Sequence, residues 1–479
     1  MSVMFKKTYY IKVYVLLFMA VTTSCQDFLE TNPPNLIATN KAINTAGDIE
    51  SVLTGAYDAF QSGSAAGGNY VAFGDLMADD AVAIQNKLNA FGTKEIYEGA
   101  TSVQIGDLRA MWGSGYSVIN RANNVIAAIE GGKISGPEFN LIKDRARGEA
   151  FFLRAYTMFN LVQFWALPYD VSKPGGNSQP GIVIRTTPTL NGPEGLAQPR
   201  ATVEEVYDQV IKDLNQADAA MSAAGQLTSV SRASAFAAKA MLARVYFYKG
   251  DYANARLRAE EVINSGKYAL TPQASLPEMF SHSGSGNLPG SKPEVIMQLV
   301  NTQQDQSNSC SGFYRQASGA VMYGEAAAIK SLYASYDKRR TELLKEFGPF
   351  FFCRKYEQTG NVSSNPRLLR LGEMHLIRAE SILRQDNQVR NEVLESLNLI
   401  RERALVDSLY APVTSTDFNT VLDSLLIERR RELIFEGDRY FNLRRLGLPL
   451  RDGSTNYAKY LFKIPQEEIA GNPGIIQNP

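Results

Sequence analysis

Two histidines, three cysteines and one pair of adjacent aspartates are the residues from which a reaction could first be built. His282 stands in a Ser/Gly-rich stretch and His375 in an apolar-periodic one, and neither sits in a supporting motif. The HExxH, GxSxG, Walker A and paired CxxC spacings are absent from the sequence. A Ser-His-Asp site therefore has no recognisable frame. Asp79 and Asp80 have the residue types of a glycosidase carboxylate pair. Sequence neighbours usually point apart, however, so they read better as caps or as hydrogen-bond acceptors for a ligand. No metal or cofactor is expected from these spacings.

Flat aromatic rings interleaved with planar polar side chains are what the chain does carry. Such rings stack on the C–H face of a pyranose, while Asn, Asp, Gln and Arg hold its hydroxyls. Two regions fit. Residues 70–97 supply Tyr70, Asp75, Asp79, Asp80, Asn86, Asn89 and Phe91, and residues 303–323 supply Phe313, Tyr314, Arg315 and Tyr323. The ligand contacts expected are Tyr70, Asp75, Asp80, Asn86, Phe91, Tyr314, Arg315 and Tyr323, on loops held by a rigid scaffold. For each aromatic the competing reading is packing. Trp112 and Trp165 lie in helical runs and are expected in the core.

The chain begins with export chemistry. Lys6, Lys7 and Lys12 precede an apolar run at 13–21, followed by Thr22, Thr23, Ser24 and Cys25. A basic region, a short apolar core and a small-residue exit describe a signal peptide over residues 1–24. The run is too short for an ordinary transmembrane helix. The cysteine after the exit resembles a bacterial lipobox, with Thr22 where leucine is usual. Cys25 is then the lipid anchor, each buried CH₂ of its acyl chains contributing about 0.8 kcal/mol. Residues 25–47, with Pro33 and Pro34, read as a lipidated, extended tether. The full sequence balances 49 basic against 49 acidic residues, and cleavage removes three lysines, leaving a net charge near −3. That balance argues against nucleic acid as a partner. Cys310 and Cys353 could pair or stay as thiols; buried free thiols are the expectation.

These candidate residues need a scaffold, and the periodicity supplies a mainly α one. Asp48 is read as the cap of a first helix, residues 108–130 and 140–165 as two long ones, and Thr202 with Glu205 as a capping box. Residues 231–270 resemble a tetratricopeptide unit, with Leu242, Ala243, Tyr246, Gly250, Tyr252 and Ala255 at its spacing. Residues 370–404 look like a second, looser pair. Such pairs stack because one alone cannot bury its apolar face. Turn residues and short strand-like runs dominate 271–366. The division expected is a helical region at 48–270, an irregular loop-rich lobe containing short strands at 271–366, and a C-terminal helical region at 367–479.

The stretch 425–447, LLIERRRELIFEGDRYFNLRRLG, ties these parts together. Leu422, Leu426, Arg429, Leu433, Glu436 and Tyr440 fall on one helical face, which puts two charges on an apolar stripe. Such charges need partners, and Glu373 and Glu380 are the candidates. This stretch resembles the C-terminal signature of the SusD/RagB family, outer-membrane nutrient-binding lipoproteins of Bacteroidetes. So do the ending 461–479 and the segments 147–167 and 369–384, together with the lipoprotein-type start; Asp27 and Glu30 resemble that group's surface-export signal. The resemblance implies a non-enzymatic protein, lipid-anchored in the outer membrane and facing outward. It would capture an oligosaccharide, or a peptide as in the RagB branch, for a TonB-dependent SusC-like transporter. A protein-binding tetratricopeptide scaffold and a carboxylate glycosidase are the readings from other classes.

Overall fold

Thr45 starts the first helix, three residues before the expected cap. Its hydroxyl accepts from the Asp48 amide while the Asp48 carboxylate takes the Thr45 amide at 2.9 Å. Asp48 is thus the far arm of a capping box, and helix α1 spans Ala46–Gln61. This computed structural model describes residues 43–83, 92–189, 198–225, 229–280, 292–302, 304–305, 310–314, 322–359, 362–363 and 365–479. Thr45–Pro479 forms one compact unit, so the three sequence regions are parts of a single body. Cys25 and its tether lie outside the described residues as far as 42.

Helix α2 (Asn69–Leu76) is short. Two long helices follow, α3 (Gly106–Glu130) and α4 (Pro137–Trp165). Thr202 and Glu205 form the expected capping box at the head of α5 (Val203–Ala224). The tetratricopeptide-like unit is α6 (Ala235–Lys249) and α7 (Tyr252–Ile263). Gly250, at φ +76°, makes the turn between them, and Asp251 caps α7. Ala243, Ala255 and Ala259 are fully buried, which lets these helices approach closely. Phe247, rather than the half-exposed Tyr246, packs on Tyr252. The second pair is α8 (Leu371–Asp386) and α9 (Asn391–Ala404). Successive helices pack in a continuous array: α1 on α3, α3 on α4, α4 on α5, α5 on α6, α6 on α7, α7 on α8 and α8 on α9. Each covers the apolar stripe of the one before. Trp112 and Trp165 meet edge to face at 5.2 Å inside this array, as expected of core residues.

Between the two helical parts, the described residues of 271–366 carry only short elements. Strands β1 (Val82–Ala83), β3 (Met322–Glu325), β4 (Leu344–Phe347) and β5 (Phe350–Cys353) form an antiparallel sheet ordered β1-β3-β5-β4. β2 (Val295–Gln298) pairs with β8 (Arg367–Arg370), and β6 (Gln358–Thr359) with β7 (Val362–Ser363). Cys310 and Cys353 are free and buried. Burial pushes the Cys310 thiol far up and the Cys353 thiol up to about 12, so both stay protonated.

The 425–447 stretch is two helices, not one face. Helix α10 (Phe418–Leu433) stops at Ile434, and α11 (Asp438–Arg445) begins after Gly437. The chain leaves the helix at Ile434, with Phe435 at φ +61°, and the glycines beside the break have a steric cause. A Cβ on Gly437 would lie 2.9 Å from the Val71 Cα, and one on Gly74 would lie 2.7 Å from the Gly437 carbonyl oxygen. Gly437 also sits at φ +78°. Two glycines far apart in sequence thus let α2 cross the α10–α11 joint at backbone contact.

Around that joint lies a buried charged layer. Arg429 donates to Asp438, with Nε at 3.0 Å, and stands 3.7 Å from Glu373. Asp438 was not anticipated, because it lies only nine residues away and beyond the helix break. Glu380 pairs instead with Arg445 at 2.9 Å, and Glu373 is held mainly by Arg244 at 2.6 Å. Glu436 accepts from Arg370 at 2.8 Å and from Lys355 at 2.6 Å. Glu432 gathers Arg370, Arg403 and Arg339. Burial resists ionisation of Glu432, but the charges of Arg403, Arg370 and Arg339 outweigh it and hold its carboxyl well below the usual range.

Candidate functional site

Gly348 and Pro349 turn β4 into β5, with Gly348 at φ +58°. The turn sets Phe347 opposite Phe350. Strand alternation then sends Phe350 and Phe352 to one face of the sheet and Phe351 and Cys353 to the other, which is buried. On the first face the Tyr323 ring lies 3.8 Å from Phe350 and 6.4 Å from Phe352, and Phe347 lies 6.3 Å from Phe352. Val82 of the edge strand packs against the same group. Tyr323 and Phe352 are largely covered, Phe350 is half-buried, and Phe347 is 59 % exposed. The result is an aromatic strip whose outer end is open to solvent.

Polar groups flank it. Tyr97, in the short helix Thr93–Glu98, carries the Arg451 guanidinium 3.4 Å above its ring. Arg451 also donates to the Leu76 and Ala78 carbonyls at 2.8 and 3.0 Å, which fixes the stacked pair. Burial raises the Tyr323 hydroxyl, and Glu325 and Tyr97 add to the shift. Asp79 takes a bidentate pair of hydrogen bonds from Arg439 at 2.7 and 2.9 Å and an ion pair from Arg430 at 3.2 Å. Burial works against its charge, but these arginines win and hold the Asp79 carboxyl below its ordinary value.

The expected contact residues divide sharply. Tyr323 lies in the strip. Tyr70 and Tyr314 do not: both are core rings. Tyr70 packs beside Phe164, and Tyr314 stacks on Tyr356 at 5.0 Å, and both are almost wholly buried. The glycines at 63–68 suggested a loop, but the segment after them folds as α2 and buries its side chains. Asp75 is also interior. It accepts from the Tyr314 hydroxyl at 2.5 Å and the Gly437 amide at 3.1 Å, and burial raises its carboxyl well above the ordinary value. Asp80 is taken by Arg430 at 2.6 Å. Both aspartates are buried and tie distant parts of the chain together, and the second carboxylate oxygen of Asp80 has no hydrogen-bond partner among the described residues. Asn86, Phe91 and Arg315 lie outside the described residues. Phe347, Phe350, Phe352, Tyr97 and Arg451 were not singled out as contacts. The signal for the first two was present: Phe-Gly-Pro-Phe at 347–350 is a hairpin turn that displays aromatic rings.

The site is thus an aromatic strip on a stacked-helix scaffold, with Asp79 and Asp80 paired to arginines beneath it. No helix among the described residues is long and apolar enough to cross a membrane. The chain belongs to the SusD family. Residues 27–247 match a SusD-like family model described as "Starch-binding associating with outer membrane", and residues 344–451 match that of the SusD family itself. A SusD-like protein of Formosa agariphila is 24 % identical over 483 residues, 90 % of each chain. A SusD superfamily structure from Bacteroides thetaiotaomicron superposes with a TM-score of 0.80 at 26 % identity, covering 91 % of this chain and 100 % of that one. A second from Bacteroides vulgatus gives a TM-score of 0.75 at 23 % identity, covering 91 % and 99 %. The family is one of carbohydrate-binding proteins associated with the outer membrane.

Proposed function

We propose that this protein captures an oligosaccharide at the cell surface, held to the outer membrane by lipid on Cys25, and passes it to a partner TonB-dependent, SusC-like transporter. Hydrolysis is left to other enzymes. The observation that carries this reading is the aromatic strip: Phe347 exposed at the tip of the β4–β5 hairpin, with Phe350 and Tyr323 behind it and the Tyr97–Arg451 stack alongside. A pyranose laid on such a ring removes apolar surface on both partners, worth about 1–3 kcal/mol. Calorimetric titration with family-type glycans tests it. Phe347→Ala should weaken binding by roughly tenfold to a hundredfold and leave the melting temperature unchanged, because the ring is mostly solvated. Unaltered affinity in that variant and in Phe350→Ala would remove the strip as the site.

A further inference from the structure

A second concavity has a different chemistry. Where α5 ends and α6 begins, a groove of about 260 Å³ opens. Phe236 and Tyr268 form one wall, edge to face with centroids 5.9 Å apart, and both are half-exposed. Ser234, the cap of α6, accepts from the Ala237 amide at 3.1 Å beside this wall. Three lysines line the groove, Lys239, Lys267 and Lys292, and no carboxylate stands among its described lining residues. Lys239 is held by Asp218 at 2.8 Å and Glu261 at 3.3 Å, and so contributes its stem more than its charge. Lys267 is exposed on the turn after α7. Lys292 is largely buried and donates to the Glu278 carbonyl. Burial and the nearby Arg367 depress the Lys292 amine to about 8, against the opposite pull of Glu278.

From this we infer that the groove is a binding site for an acidic sugar residue. The ring lies against Phe236 and Tyr268, and its carboxylate or sulfate ester faces Lys267 and Lys292. Size agrees: the volume is near the lower end for ligand sites, roughly 300 Å³, which suits one ring or two rather than a long chain. The lysines agree as well, since a hydrogen bond to an anion is about twice as strong as a neutral one and a partly enclosed wall screens it less than open solvent. The site shares no residue with the aromatic strip and stands whether or not the strip binds sugar.

Calorimetry on the full chain with three probes is the test: a galacturonate trimer, a sulfated galactose trimer and the neutral galactose trimer. The expected result is that at least one acidic trimer binds, that added salt weakens it, and that excess neutral oligosaccharide fails to displace it. Lys267→Ala should weaken that binding about tenfold; its side chain is exposed, so the variant folds. Phe236→Leu, which preserves bulk but removes the flat face, should weaken it too. A preference between the carboxylate and sulfate trimers identifies which acid the groove takes. Binding of neither acidic trimer, equal binding of the neutral one, or acidic binding indifferent to Lys267→Ala would overturn the proposal.

Discussion

Arg370→Met is the sharpest test of the charged layer. Arg370 is almost wholly buried and uses all five of its N–H donors. Nε and one terminal nitrogen reach Glu436 at 2.8 and 2.9 Å. The other terminal nitrogen bridges Glu294 at 3.0 Å and Glu432 at 2.5 Å, and the fifth bond goes to the Glu432 carbonyl at 2.7 Å. Methionine matches much of the bulk but leaves three buried carboxylates short of a cation. Removing one partner of a buried ion pair costs about 3–5 kcal/mol. With about 2.1 cal/mol/K of unfolding entropy per residue and a cooperative unit of roughly 400 residues, that loss lowers Tm by about 3–6 °C. Arg370→Lys keeps the charge but not the fork, and should fall between the two. Scanning calorimetry and urea melts measure both.

The sign with pH follows from the carboxylates. Glu432 and Glu436 titrate below their ordinary range in the folded protein, because their arginine and lysine neighbours outweigh burial. Their contribution is therefore present above the unfolded carboxylate pKa of about 4.3, and it is lost as pH falls through the lower folded values. The gap between wild type and Arg370→Met should be full at pH 7 and shrink below about pH 4. A gap under 1 °C at pH 7, or one that widens in acid, would refute the reasoning and mean that the layer is hydrated.

Tyr314→Phe removes the hydroxyl that Asp75 accepts and should cost about 1–3 kcal/mol in a urea melt, while glycan affinity in the folded protein stays at the wild-type value; weakened binding without lost stability would return Tyr314 to the ligand site. Cys25→Ala should leave the protein unlipidated and release it from the membrane fraction; intact-mass analysis showing no acyl chains on the wild-type protein would remove the anchor.

Local chemistry was legible in the sequence wherever it was local in space. Thr202 and Glu205 cap α5 because both arms of the box lie within one turn. Gly250 and the small residues Ala243 and Ala255 announce a close helical pair for the same reason. The need of Arg429 for a buried partner was also readable, since its position on an apolar stripe leaves little alternative. Of its two partners, Glu373 at 3.7 Å is one of the candidates, while Asp438 is not, because it comes into reach only through the break at Ile434 and Phe435. Tyr70, Asp75, Tyr314 and Asp80 are buried rather than displayed on loops, for a related reason. Glycine-rich neighbours suggest exposed loops, but what covers these side chains is distant in sequence: Phe164 for Tyr70, Gly437 for Asp75, Tyr356 for Tyr314 and Arg430 for Asp80. Tyr323 belongs to the strip because strand alternation, a short-range rule, sets its face.

The closing of the backbone crossing at Gly437 also orders events in time. The Asp75 bond to Gly437 spans 362 residues, the Asp79 bond to Arg439 spans 360 and the Asp80 bond to Arg430 spans 350. A growing chain meets these acidic groups early and their partners late, so α2 cannot find its final seat until nearly all of the polypeptide has emerged. Pairings of such long range form slowly.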